Sequence, residues 1–101
     1  MSEARIKVTV DEDLEELIPG FLENRKNDIS ALSEALEGGD IAKVQSIGHS
    51  IKGVGGGYGF DGLSELGAQL EIAAKESDSV KIGELITEMS QYMDSIDIVY
   101  E

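Results

Sequence analysis

Apolar residues recur at three- and four-residue spacing along nearly the whole chain, the period of an amphipathic helix. Residues 5–10 differ: Ile6, Val8 and Val10 alternate with Lys7 and Thr9, which locally resembles a strand. No second alternating run offers itself as a partner, and a lone strand is not stable. Residues 1–10 are therefore expected to form an extended lead-in. Asp11 suits the cap of a first short helix, whose first turn carries Glu12, Asp13 and Glu15 as the helix dipole prefers. Leu14, Leu17 and Ile18 give it an apolar face. Pro19, the only proline, either kinks this helix or starts the next.

The second helix is expected from about Pro19 to Glu37, with Leu22, Ile29, Leu32 and Leu36 inward and Gly38-Gly39 as its stop. Asp40 caps a third, from Ile41 to about Gly56, and Gly57-Tyr58-Gly59-Phe60 reads as a turn. Asp61 is placed as the cap of a fourth, with Leu63, Leu66, Leu70, Ala73 and Ala74 on one face. After Ser77-Asp78-Ser79, a fifth buries Leu85, Ile86, Met89, Met93 and Ile96, and Ile98-Val99-Tyr100-Glu101 is expected to fray. Amphipathic helices joined by short connections predict an all-α fold, an antiparallel helical bundle. The 101 residues form one expected domain, with a helical core over about 11–97.

Charge narrows the function. The net charge is −13, and the eight Lys and Arg are scattered. Nucleic-acid backbones and anionic membranes are bound by clustered cations, so neither is an expected partner. There is no cysteine, hence no disulfide framework and no thiolate metal site. The first residues lack the apolar run of a signal peptide, and no stretch approaches the length of a membrane span. A soluble, cytoplasmic monomer is the expectation.

Against this acidic background, Ile41–Phe60 holds no Asp or Glu at all, where about four would be average for that length. The window contains Lys43, Lys52, six of the twelve glycines and the only histidine, His49. On a helical count, Val44, Ile47, Gly48, Ile51, Val54 and Gly55 share the core face, and His49 falls roughly opposite, toward solvent. One turn before it lie Gln45 and Ser46; one turn after it, Lys52 and Gly53; two turns on, Gly56. Lys52 is placed to hold an anion carried on the ring. Gly53 and Gly56 leave room for another protein near the backbone.

Other chemistries fit poorly. The P-loop pattern needs its lysine after the glycine and a Ser or Thr next, and here Lys52 precedes Gly53 and Val54 follows. The dinucleotide fingerprint needs a strand before its glycines. With no ATP site, self-phosphorylation is not expected. One histidine, no cysteine and no calcium-loop spacing speak against a metal, and no second group stands out for a hydrolase. The competing reading is a non-catalytic acidic helical module that docks a partner through the Gly-rich face around His49.

His49-x-x-Lys52-Gly53, followed six residues later by Gly59, resembles the signature of histidine phosphotransfer (Hpt) domains. Gly39-Asp40 before the helix, and Gly59-Phe60, Leu63, Leu66 and Leu70-Glu71 after it, resemble the family's flanks. The resemblance implies an antiparallel, up-down four-helix bundle with an additional short N-terminal helix, in which His49 is phosphorylated on Nε2, Lys52 stabilises the phosphoryl group and Gly53 admits a receiver domain. It implies a phosphoryl carrier, not an autokinase, exchanging phosphate with aspartates of response-regulator receiver domains or a hybrid sensor histidine kinase. No cofactor is implied on this chain, and Mg²⁺ would sit on the receiver. Two positions depart from the family pattern. Val54 replaces the small residue that often follows Lys-Gly. Glu71 stands where some members offer a glutamine, with Gln69 nearby but expected to be rotated away. An acid there is expected to repel phosphate, so Glu71 is left out of the expected site.

Overall fold

A computed structural model describes residues 5–101. Four helices dominate it: α1 (Ile18–Glu37), α2 (Ile41–Gly57), α3 (Asp61–Lys75) and α4 (Ser79–Ser95). Three-residue connections between them leave each helix only an antiparallel neighbour, giving the expected up-down bundle. The core is built from residues such as Leu32, Val44, Ile51, Leu63, Leu70, Ile82, Leu85 and Met89, all fully buried.

The caps follow from local chemistry. Asp40 accepts from the Lys43 N–H at 3.1 Å, and Asp78 from the Lys81 N–H at 3.1 Å, each satisfying an orphan donor of its helix. Asp61 does not act as a cap. It is already the first residue of α3, and Phe60 holds the cap position without a side-chain bond. The buried Phe60 ring, not a polar cap, fixes this entry. Each of the first three helices ends in a left-handed residue: Gly39 at φ +73°, Gly59 at +87° and Ser77 at +54°.

The two ends of the chain depart from expectation. Ile6–Val10 is a strand, β1, with Val8 and Val10 buried. Its partner is β2, Ile96–Tyr100, the segment expected to complete the last helix and fray. They pair in parallel, Ile6 opposite Ile96 and Val10 opposite Tyr100. A parallel pair needs a long crossover, and here the whole bundle supplies it. The ladder runs on through Glu101 N–H to the Val10 carbonyl (3.0 Å) and Glu12 N–H to the Glu101 carbonyl (2.9 Å). Arg5 reinforces it by donating to the carbonyls of Asp94 and Ile96, both at 3.0 Å, and to Asp97 at 2.9 Å. Its guanidinium therefore neutralises the carbonyl end of α4. Asp11 does cap the next turn, accepting from the Asp13 N–H at 2.9 Å. That turn, Glu12–Leu17, is a 3-10 helix running directly into α1, not a separate α-helix.

The inner face of α1 includes two residues that the apolar spacing did not single out. Phe21 stacks on Tyr58 and Phe60, with centroids 4.6 and 4.7 Å apart. Arg25 is only 8% exposed, lies over the Phe21 ring at 4.9 Å and pairs with Asp28 at 2.8 Å. This cluster ties α1 to the α2–α3 turn. Its burial of the Arg25 charge is offset by the ion pair and the ring face.

Candidate functional site

His49 lies on α2 with its ring pointing out, 68% exposed. The buried residues of this helix are Val44, Gly48, Ile51 and Gly55, all on the expected core face, while Ile47 and Val54 are half-buried. Lys52, one turn along, is exposed on the same side. Gln45, Ser46 and Ala42 join His49 and Glu71 around a shallow depression of about 300 Å³.

The glycines of α2 divide into two kinds. A Cβ on Gly48 would come within 3.0 Å of the Glu71 nitrogen, the Gly67 carbonyl and the Leu70 side chain. On Gly55 it would meet the Ser64 nitrogen at 2.8 Å, and on Gly67 of α3 the Lys52 nitrogen at 2.5 Å. These three let α2 and α3 approach backbone to backbone. Ser64 uses that proximity, donating its hydroxyl to the Lys52 carbonyl at 2.7 Å. Around Gly53, by contrast, a Cβ would meet nothing within 4 Å, and at Gly56 only the Ser64 hydroxyl at 3.5 Å. Nothing among the described residues requires those two to be glycine.

The close approach brings in a residue that the sequence reading left out. Glu71 Oε2 lies 3.1 Å from His49 Nδ1, and Oε1 lies 3.3 Å from Lys52 Nζ. One carboxylate bridges both candidate side chains. The objection that an acid would repel phosphate rested on sequence position alone. In three dimensions the carboxylate meets Nδ1, and Nε2 lies across the ring from that contact. Burial raises the Glu71 pKa, but the hydrogen bond and charge of Lys52, joined by those of His49, outweigh it, so the carboxyl is held below its ordinary range. Gln69 lines a different groove, on the α4 flank of α3, and takes no part here. The Gly48–Gly67 pair is the feature that carries Glu71 to His49. Two glycines on separate helices, each on a buried face, were its trace in the sequence, beside the alignment of Glu71 with the family's glutamine position.

Among the described residues, no group of three or more His, Cys, Asp and Glu side chains is arranged to hold a metal ion. No helix among them is long and apolar enough to cross a membrane. The arrangement is an outward imidazole, oriented by a carboxylate and attended by an ammonium. It suits a nucleophile that receives an anionic group from a second macromolecule. A family model described as Hpt domain matches residues 10–97. No curated protein and no solved structure gives a match.

Proposed function

Because the chain belongs to the Hpt domain family, whose members carry phosphoryl groups on histidine in two-component phosphorelays, we propose that His49 is the phosphoryl-accepting residue. It takes the group from a receiver-domain aspartate and returns it to another. The exposed ring held through Nδ1 by Glu71 is the observation that carries this reading. A carboxylate at Nδ1 favours the tautomer with the proton there, which leaves the lone pair on Nε2.

The step then balances simply. The Nε2 lone pair attacks phosphorus, an N–P bond forms, and the O–P bond of the aspartyl phosphate breaks with its electron pair returning to the receiver carboxylate. The Nδ1 proton stays in place. The phosphorylated ring is then cationic, and Glu71 stabilises it. Lys52 meets the phosphoryl oxygens as a charge-assisted donor. Gln45, Ser46, Gly53 and Gly56 form the surface on which the receiver seats. Any Mg²⁺ would be held by the receiver and would supply charge neutralisation from that side, with no ligand from this chain. This chain contributes geometry and a nucleophile, as positioning does in phosphoryl transfer generally. Donors would be receiver domains, alone or within a hybrid sensor histidine kinase.

The test is transfer from a phosphorylated receiver domain. The parent chain should gain acid-labile, base-stable phosphate, and His49→Gln should gain none. Lys52→Ala should fold normally and transfer about tenfold more slowly. Glu71→Ala should slow transfer by about tenfold and lower the Nδ1–H tautomer population seen by ¹⁵N NMR, with Glu71→Gln recovering part of both. Uptake by His49→Gln equal to the parent's would end the proposal. Receiver binding that survives His49→Ala, with no phosphate on the parent, would leave a docking module in its place.

A further inference from the structure

The flank of α3 turned away from His49 forms a groove with α4. Near the strand end it opens to about 500 Å³, with Leu66 and the Tyr92 ring in its wall and Glu65 and Glu88 among its lining. A second depression, about 200 Å³, continues it past Ile72 to Glu76 and Lys81, so the net negative lining is confined to the wider end at Glu65 and Glu88. Gln69 lines both, so the two form one track. From Gly62 to Glu76 it follows α3 for roughly 21 Å, the length of a four-turn helix. Ile72 is 56% exposed there, and Val80 at the start of α4 is 74% exposed. Glu65 and Glu88 have no ion-pair partner among the described residues.

We propose that this α3–α4 groove docks a cationic amphipathic helix of a partner protein, its apolar stripe against Leu66, Tyr92 and Ile72 and its lysines or arginines against Glu65 and Glu88. The apolar wall calls for apolar side chains, and the unpaired carboxylates on a chain of net charge −13 call for cations beside them. A second copy of this chain would bring the same negative charge to the contact and is disfavoured. The groove and the His49 face lie on opposite flanks of α3, so the helix and a receiver domain can bind together. The inference does not depend on phosphate chemistry at His49.

The probe is a synthetic helical peptide with leucines at i, i+3 and i+7 flanked by lysines, titrated into the ¹⁵N-labelled full chain. A shuffled peptide of equal charge serves as its control. Shifts should concentrate on α3 and α4 along the groove, and the shuffled peptide should bind about tenfold more weakly. Glu65→Lys with Glu88→Lys should weaken binding about tenfold. Glu23→Lys with Glu34→Lys, an equal charge change at exposed positions of α1, should change it no more than about twofold. Ile72→Ser should weaken it while leaving phosphate uptake at His49 unchanged. Several results would overturn the proposal: equal losses in the two charge-reversed pairs, shifts centred on α2 around His49, no preference over the shuffled peptide, or no binding. Concentration-dependent shifts of the same groove residues without peptide would also overturn it, assigning the groove to self-association.

Discussion

A carboxylate touching a ring proposed to accept phosphate looks misplaced until its side of the ring is specified. Glu71 contacts Nδ1 and, with its other oxygen, the Lys52 ammonium. It therefore orients the ring and restrains the lysine before any partner arrives. The same contacts make a pH prediction. Because the folded-state pKa of Glu71 is lowered, its contribution to stability is complete above the unfolded value, about 4.3, and is lost as pH falls through the lowered folded value. The melting-temperature difference between the parent and Glu71→Gln should accordingly be largest near neutrality and shrink as pH falls below the ordinary carboxylate range. A difference constant across that range would show that the ionised carboxylate contributes nothing to the fold. His49, Lys52 and the outward direction of the ring were legible in the sequence, because helical period alone sets them. Glu71 was marked by its aligned position, but its contacts with Nδ1 and Lys52 were not legible, because its reach depends on how closely a second helix approaches.

That approach is a property of elements. α2 and α3 meet through Gly48, Gly55 and Gly67, whereas Gly53 faces open space. Gly48→Ala or Gly67→Ala should cost about 1–3 kcal/mol in denaturant unfolding, since the added methyl must push one backbone from the other. Gly53→Ala should stabilise α2 by up to about 1 kcal/mol and yet slow transfer from a receiver, a split that a purely structural glycine would not give. The end of α3 offers a second element-scale test. Ser77 adopts φ +54° at a position where α1 and α2 place glycine. Ser77→Gly should raise stability by about 1 kcal/mol, measured as a shift in the urea midpoint with unchanged slope. Several helix boundaries were readable from Gly38-Gly39, Asp40 and the Ser77-Asp78-Ser79 loop. The exceptions were α3, which starts on the buried Phe60 and leaves Asp61 inside the first turn, and the two ends of the chain, where α4 stops at Ser95 and Glu12–Leu17 is a 3-10 turn.

At the scale of the molecule, the distinctive feature is the parallel pairing of the chain's two ends across the bundle. Val10 is buried at that seam, only 1% exposed, and Arg5 joins it to the end of α4. Val10→Ala should cost about 2 kcal/mol, while amide exchange within α2 at His49 stays near that of the parent. Equal loss of protection in both places would mean that the strands and the site open as one unit. The seam went unseen in the sequence because its strands are separated by nearly the whole chain. The alternation in Ile6–Val10 was plain, but Ile96 and Tyr100 fall on the apolar face of the preceding helix, so the segment read as its tail although Ile98, at a spacing of two, lies off that face.

The sequence by itself determined four amphipathic helices, their order, the acid-free face and the solvent-facing imidazole with a lysine one turn on. Each of these follows from periodicity and short-range steric rules. Tertiary structure alone decided the company that imidazole keeps and the fate of the two chain ends. Both depend on backbone-to-backbone distances between segments far apart in sequence, which no local pattern encodes.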